Sequence, residues 1–156
     1  MKPVPVYGPD HIRELLPHRP PFLFVDDIIR FTAGRSIEGR YTVPSDAFWC
    51  EGHFPGEPIM PGVLLADALA QTSGLLWGFT RKAEEEKDRA GRVMFHLASV
   101  NIKFLRPAGP GDMLLLCSSP ESSYGMLHRY RVEARIGTRA AAKGILTLSM
   151  IRGQSR

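Results

Sequence analysis

Apolar positions along the chain change spacing several times, and each change predicts an element. Ile12, Leu15 and Leu16 recur at helical spacing, which predicts a short helix capped by Asp10 and ended by Pro17. Phe22 to Phe31, rich in Phe, Val and Ile, predicts a strand; Ala33-Gly34-Arg35 predicts a turn and Ser36 to Val43 a second strand. Pro44 to Met60 breaks the pattern with Pro44, Pro55, Pro58, Gly52 and Gly56. Pro61-Gly62 then opens a helix of about twenty residues, to about Lys82, where a proline in the first turn costs little. That helix is apolar nearly all round (Val63, Leu64, Leu65, Ala66, Ala68, Leu69, Ala70, Leu75, Leu76, Trp77, Phe79), so other structure must wrap it. The charged stretch Arg81 to Arg92 suits a solvated helix end and loop.

The remainder reads as β. Val93 to Leu105 is one strand or a bent pair, Pro110-Gly111-Asp112 a turn, and Met113 to Ser118 a strand. Tyr124 to Ile136 alternates Leu127, Tyr130, Val132 and Ala134 with Arg129, Arg131, Glu133 and Arg135, the period of a half-exposed strand. Gly137-Thr138 turns, and Ala140 to Ile151 is a last strand. Several antiparallel strands with one very apolar helix predict an α+β fold, a sheet curled around that helix.

The 156 residues predict one domain spanning 1–156. With 44% hydrophobic and 23% charged residues the composition excludes disorder. A net charge of +4 is too diffuse to imply nucleic acid, yet it allows an acidic partner. Cys50 and Cys117 do not make a disulfide framework, and Cys117, on a strand, reads as core. Met1 to Pro9 has no apolar signal region, and the apolar stretch Gly62 to Phe79 is interrupted by Asp67, Gln71, Thr72 and Ser73, so no membrane segment and a cytoplasmic location are expected. His11, His18, His96 and His128 pair with nothing at metal-binding spacing; no metal and no cofactor is expected.

Candidate chemistry gathers where proline and glycine crowd. His53 sits in Gly52-His53-Phe54-Pro55-Gly56, a stretch able to aim a side chain, and an imidazole of ordinary pKa about 6.5 suits proton transfer near neutrality. Asp67 follows fourteen residues later, in the first two turns of the apolar helix. A carboxyl buried there must be hydrogen-bonded, paired or protonated, and a protonated one can serve as a general acid. The unpaired N–H groups at the helix start, near Gly62 and Val63, can stabilise an enolate-like oxyanion. Taken singly, His53 reads as a surface residue and Asp67 as a helix-start carboxylate. Together they suit proton abstraction beside a carbonyl.

Leu16-Pro17-His18-Arg19 with Pro21-Phe22-Leu23 resembles the N-terminal signature of bacterial 3-hydroxyacyl-[acyl-carrier-protein] dehydratases. Gly52 to Pro58, Met60-Pro61-Gly62-Val63-Leu64, Asp67-Ala68-Leu69-Ala70-Gln71, Lys103-Phe104 with Arg106-Pro107, and Pro110-Gly111-Asp112 resemble later segments of the same family, over roughly residues 11 to 150. The resemblance implies a hot-dog fold, an antiparallel sheet wrapped around one long central helix. It also implies dehydration of a 3-hydroxyacyl thioester to the trans-2-enoyl thioester. His53 would remove the C2 proton. Asp67 would protonate the departing hydroxyl or position the water, and the Gly62 amide would hold the thioester carbonyl. Gln71, one turn beyond Asp67, would steady the acid with a hydrogen bond. The implied partners are an acyl carrier protein and a second copy of the chain, because base and acid come from different subunits; larger assemblies of dimers occur.

Three positions depart from the family's pattern. Asp67 stands where the short dehydratases carry Glu, as in the related dehydratase-isomerases; Pro20 replaces an aromatic; and Val100-Asn101-Ile102 lacks the usual Asp. They leave room for a specialised polyene or polyketide pathway beside fatty-acid biosynthesis, and for added isomerase activity. A hot-dog acyl thioesterase, using the acid to activate water, is the alternative enzyme, and an acyl-binding module without turnover the non-enzymatic one. Arg129, Arg131, Arg135 and Arg139 form either a solvated sheet face or a carrier-docking surface, in competition with Arg81 and Lys82 and with Lys103 and Arg106.

Overall fold

The most apolar segment becomes the element everything else covers. In a computed structural model, which describes residues 3–84 and 94–151, this segment is helix α2 (Gly62–Ala83). Leu64, Leu65, Ala68, Leu69, Leu75, Leu76 and Phe79 are buried along it. Before it come α1 (Pro9–Leu15), β1 (Asp27–Thr32) and β2 (Ser36–Thr42); after it come β3 (Phe95–Phe104), β4 (Met113–Tyr124), β5 (Leu127–Ile136) and β6 (Arg139–Met150). The strands form one antiparallel sheet in the order β1-β2-β4-β5-β6-β3, and α2 packs against every strand from β2 to β6. Inward side chains such as Ile37, Tyr41, Leu114, Leu116, Tyr130, Val132, Leu146 and Leu148 meet the helix. This is the α+β, sheet-around-helix architecture that the hydrophobic pattern predicts. No helix among the described residues is long and apolar enough to cross a membrane.

Four local expectations are corrected. Asp10 does not cap α1: Gly8 is the N-cap, without a side-chain hydrogen bond, and Pro9 opens the helix. The strand expected from Phe22 begins only at Asp27, because the backbone before it is bonded elsewhere: the Phe24 N–H and the Phe22 carbonyl both bind the Gln71 side chain. The strand expected to end at Ser118 continues to Tyr124, so Tyr124 belongs to β4 and β5 starts at Leu127. The added residues are mostly polar and, from Pro120 on, exposed. They stay in the sheet through backbone pairing and through Glu121, which binds Arg129 and Arg131 at 2.9 and 3.0 Å. Cys117 is not core: it alternates with buried Leu116 and Ser118 and lies half-buried on the outer face, where burial raises its thiol pKa to about 11. Of the alternatives for the stretch starting at Val93, one strand is found, with a register shift between Leu97 and Ser99. Residues 85–93, most of the expected charged loop, lie outside the described residues.

Among the described residues β3 is an edge strand whose one strand partner is β6, and Gly144 makes that pairing possible. A Cβ there would run into the Asn101 carbonyl and lie 2.8 Å from the Ile102 Cα, both backbone atoms with little freedom to yield. Gly144→Val is expected to detach β3 and destabilise the fold by at least about 3 kcal/mol, read as a lower urea midpoint.

Candidate active site

The Gly/Pro loop holds His53 through its own backbone. The Gly52 and His53 N–H groups donate to the Trp49 carbonyl, and the Ile59 N–H donates to the His53 carbonyl at 2.8 Å. The imidazole is half-buried, its Nδ1 is 2.7 Å from the Ile59 carbonyl oxygen, and its ring stacks on Phe54 at 4.2 Å. A carbonyl can only accept, so in the neutral ring Nδ1 carries the proton and Nε2 keeps a lone pair. That is the tautomer a base needs. Cys50 is a half-buried thiol in the same loop.

The loop passes into α2 through Pro61. The Leu64 and Leu65 N–H groups donate to the Pro61 carbonyl, which leaves the Gly62 and Val63 amides without an intrahelical acceptor. Phe104, at the end of β3, covers Gly62: a Cβ there would stand 3.2 Å from its ring. The Pro110-Gly111-Asp112 turn braces this entry. Asp112 accepts the Gly109 N–H at 2.8 Å, and Ala108 accepts the Met60 N–H at 2.7 Å.

Asp67 is half-buried, and of the three states open to a buried carboxyl there it takes the hydrogen-bonded one. Gln71 supplies its hydrogen bond, Nε2 donating to Asp67 Oδ2 at 2.8 Å. The same amide donates to the Phe22 carbonyl at 2.9 Å, and its Oε1 accepts from the Phe24 N–H at 2.8 Å. Gln71 is completely buried and ties the acid to the 22–24 segment. Gln71→Leu should strand the Phe24 N–H, cost about 1–3 kcal/mol of stability, and lower turnover more than substrate affinity, which kcat and KM together will test.

The structure therefore joins Asp67 to Gln71 and Gly62 to Phe104. No hydrogen bond or ion pair links His53 to Asp67 within the chain. It also brings in His18, which the sequence places in the Leu16-Pro17-His18-Arg19 motif without a role. Asp67 is near enough for its charge to act on the His18 imidazole, although burial is the larger influence and lowers the His18 pKa. The motif is the available signal; its proximity to the acid arises only on folding.

Of the competing basic groups, Arg129 and Arg131 are paired with Glu121, and Arg135 with Glu133 at 2.8 Å. Arg81 lies over the Trp77 ring and Lys82 pairs with Glu14, both at the far end of α2. Lys103 and Arg106 make no ion pair among the described residues, and Lys103 faces Lys143 across the β3–β6 ladder. Among the described residues no three His, Cys, Asp or Glu side chains gather as a metal site.

Residues 16–135 match the FabA-like domain. The chain belongs to the FabA-like family. It is 36% identical over 156 residues to the 3-hydroxyacyl-[acyl-carrier-protein] dehydratase FabZ of Chlamydia trachomatis, covering 99% of both chains. It is 37% identical over 132 residues to the protein of that name from Anaeromyxobacter dehalogenans, covering 85% of this chain and 83% of the relative. In three dimensions it is similar to a chain of the dehydratase heterocomplex ApeI:P from Xenorhabdus doucetiae. The TM-score is 0.74 at 17% identity, over 96% of this chain and 93% of that one, a likeness of fold. The span matched by the FabA-like domain holds His18, His53, Gly62, Asp67 and Gln71 together.

Proposed function

We propose that this chain, acting as one domain, dehydrates 3-hydroxyacyl-carrier-protein thioesters to trans-2-enoyl thioesters in fatty-acid or related biosynthesis. The observation that carries the reading is the orientation of His53, in a FabA-like chain whose relatives are named for this reaction: with Nδ1 on the Ile59 carbonyl, Nε2 is free to act as base. Nε2 takes the C2 proton, and the C–H electrons form the C2–C3 double bond as the C3–O bond breaks. Asp67 protonates the departing oxygen, which leaves as water, and Gln71 steadies the acid. The Gly62 amide donates to the thioester oxygen as negative charge builds there, an interaction stronger in the transition state than in the bound substrate.

The working unit is a homodimer. The edge strand β3 supports this, because it offers unpaired backbone groups along ten residues together with exposed Leu97, Val100 and Phe104. Val63, 77% exposed in the first turn of α2, is a further apolar group for the second chain to cover. Lys103 and Arg106, beside Phe104 and free of carboxylate partners among the described residues, suit the acidic carrier protein better than the Glu-paired arginines of β5. The protein works in the cytoplasm.

Incubation with 3-hydroxyacyl carrier protein and mass analysis of the product tests the reaction. Loss of one water with the thioester intact is expected. Release of free thiol would instead make the chain a thioesterase, and a cis-3-enoyl product would add the isomerisation that Asp67 allows.

A further inference from the structure

The start of α2 is covered by one exposed aromatic ring. Phe104 closes β3, is 51% exposed and stands outside the hydrophobic core cluster. Its tip rests on backbone: a Cβ at Gly62 would stand 3.2 Å from Cε1 and Cζ and 3.4 Å from Cε2. Three contacts of such similar length place the face of the ring over the Gly62 Cα. The Gly62 amide nitrogen is bonded to that Cα, so the ring stands within about 6 Å of it. Gly62 itself stays half-exposed. The ring therefore walls one side of the Gly62 amide and leaves another open to a ligand.

The contact is held from both sides. Beyond Phe104, the Leu105 and Arg106 N–H groups both donate to the Ala141 carbonyl, at 2.7 and 3.1 Å, and fix the end of β3. Ala142, opposite Phe104 on β6, is fully buried and too small to compete for the ring's place. Before Gly62, the Met60 N–H donates to the Ala108 carbonyl at 2.7 Å, which ties the lead-in of α2 to the segment that follows Phe104. A glycine is what lets the ring lie this close, since any Cβ would crowd it.

An amide N–H stabilises a growing negative charge most where water is kept away, because water competes for the oxygen and raises the local dielectric. We propose that Phe104 is a positioning residue of the dehydration: its ring excludes water from one side of the Gly62 amide and bounds the space in which the thioester carbonyl meets it. The ring carries no proton and forms no bond to the substrate. Its effect reaches the reaction through the Gly62 hydrogen bond, which strengthens as the C2 proton leaves. This rests on the dehydratase reading of Gly62 as the oxyanion donor, and it adds a residue of β3 to a site otherwise built from the loop and α2.

The test reads the thioester carbonyl directly. A 3-hydroxyacyl-pantetheine with an isotope label at that carbonyl is bound at saturation to a His53→Ala background that prevents turnover, and its infrared stretch is recorded. The stretch should fall below that of the free ligand, as a hydrogen bond from Gly62 requires. Adding Phe104→Ala should remove roughly half of that shift or more. Phe104→Leu, which restores apolar bulk, should keep most of it. Phe104→Thr, a strand former without that bulk, should behave as Ala and replaces it if the Ala variant does not fold. With His53 present, kcat should drop about tenfold in Ala and Thr and recover in Leu, with KM within a few-fold of the parent and similar melting temperatures. An undiminished shift in Ala or Thr overturns the proposal even where kcat falls, since a purely structural role leaves the hydrogen bond to the carbonyl unchanged. No shift in the background protein overturns it too, by removing the Gly62 hydrogen bond. Failure of the dehydratase reading looks different: the unmutated chain would form no enoyl product, which overturns both.

Discussion

His53→Ala is expected to lower kcat for dehydration by about 10²–10⁴-fold while the protein stays folded. The loop does not depend on the ring. The His53 N–H to Trp49, the Ile59 N–H to the His53 carbonyl, and the reciprocal Phe54–Glu57 bonds all run through the backbone and survive the change. What is lost is the imidazole with Nδ1 fixed on the Ile59 carbonyl and Nε2 left as base. His53→Asn separates positioning from basicity: its amide nitrogen can still donate to the Ile59 carbonyl, yet it has no basic atom. It should be nearly as inactive as Ala. Steady-state kinetics with a 3-hydroxyacyl thioester, read beside thermal melts, decides the matter. A folded Ala variant within tenfold of the parent would remove His53 from the chemistry.

How far the sequence foretells this molecule depends on where each residue finds its partners. Helix α2 was legible because Leu64, Leu65, Leu69, Leu76 and Phe79 report burial by type alone, and β5 because Tyr130, Val132 and Ala134 alternate with charge. The start of β1 was not, because the 22–24 backbone gives its hydrogen bonds to Gln71 on a helix some fifty residues away, which no local pattern encodes. The outer half of β4 was not, because Ser119, Glu121, Ser122 and Ser123 carry no apolar alternation and are held by cross-strand bonds and by arginines of β5.

The site divides in the same way. His53 and Gly62 stood out through the prolines and glycines around them, and Asp67 through the oddity of a carboxylate in an apolar helix. Gln71 was legible as a neighbour of Asp67 at i+4, but its grip on Phe22 and Phe24 was not. His18 carried a motif without a location. Its buried nitrogen and its nearness to Asp67 exist only once α1, α2 and β3 are assembled.

Asp67→Asn is the sharpest change available at the acid, and it too is expected to reduce kcat by about 10²–10⁴-fold. The two side chains have nearly the same size. The oxygen of the introduced amide can still accept the Gln71 Nε2 hydrogen, so the link to the Phe22 carbonyl and the Phe24 N–H stays in place and stability should change little. An amide cannot give a proton to the departing oxygen, so the loss falls on the step in which the C3–O bond breaks. Because the ground-state contacts persist, KM should stay within a few-fold while kcat collapses, the pattern of an interaction used only in the transition state. Asp67→Glu is the counterpart. It keeps an acid and lengthens its reach by one methylene, so it should retain measurable dehydration where Asn does not. If isomerisation depends on the shorter acid, Glu should also lower the proportion of cis-3-enoyl product, measured against the parent under the same conditions. An Asn variant with near-parental kcat would mean that the proton reaching the leaving oxygen comes from elsewhere, and the acid role would pass from Asp67.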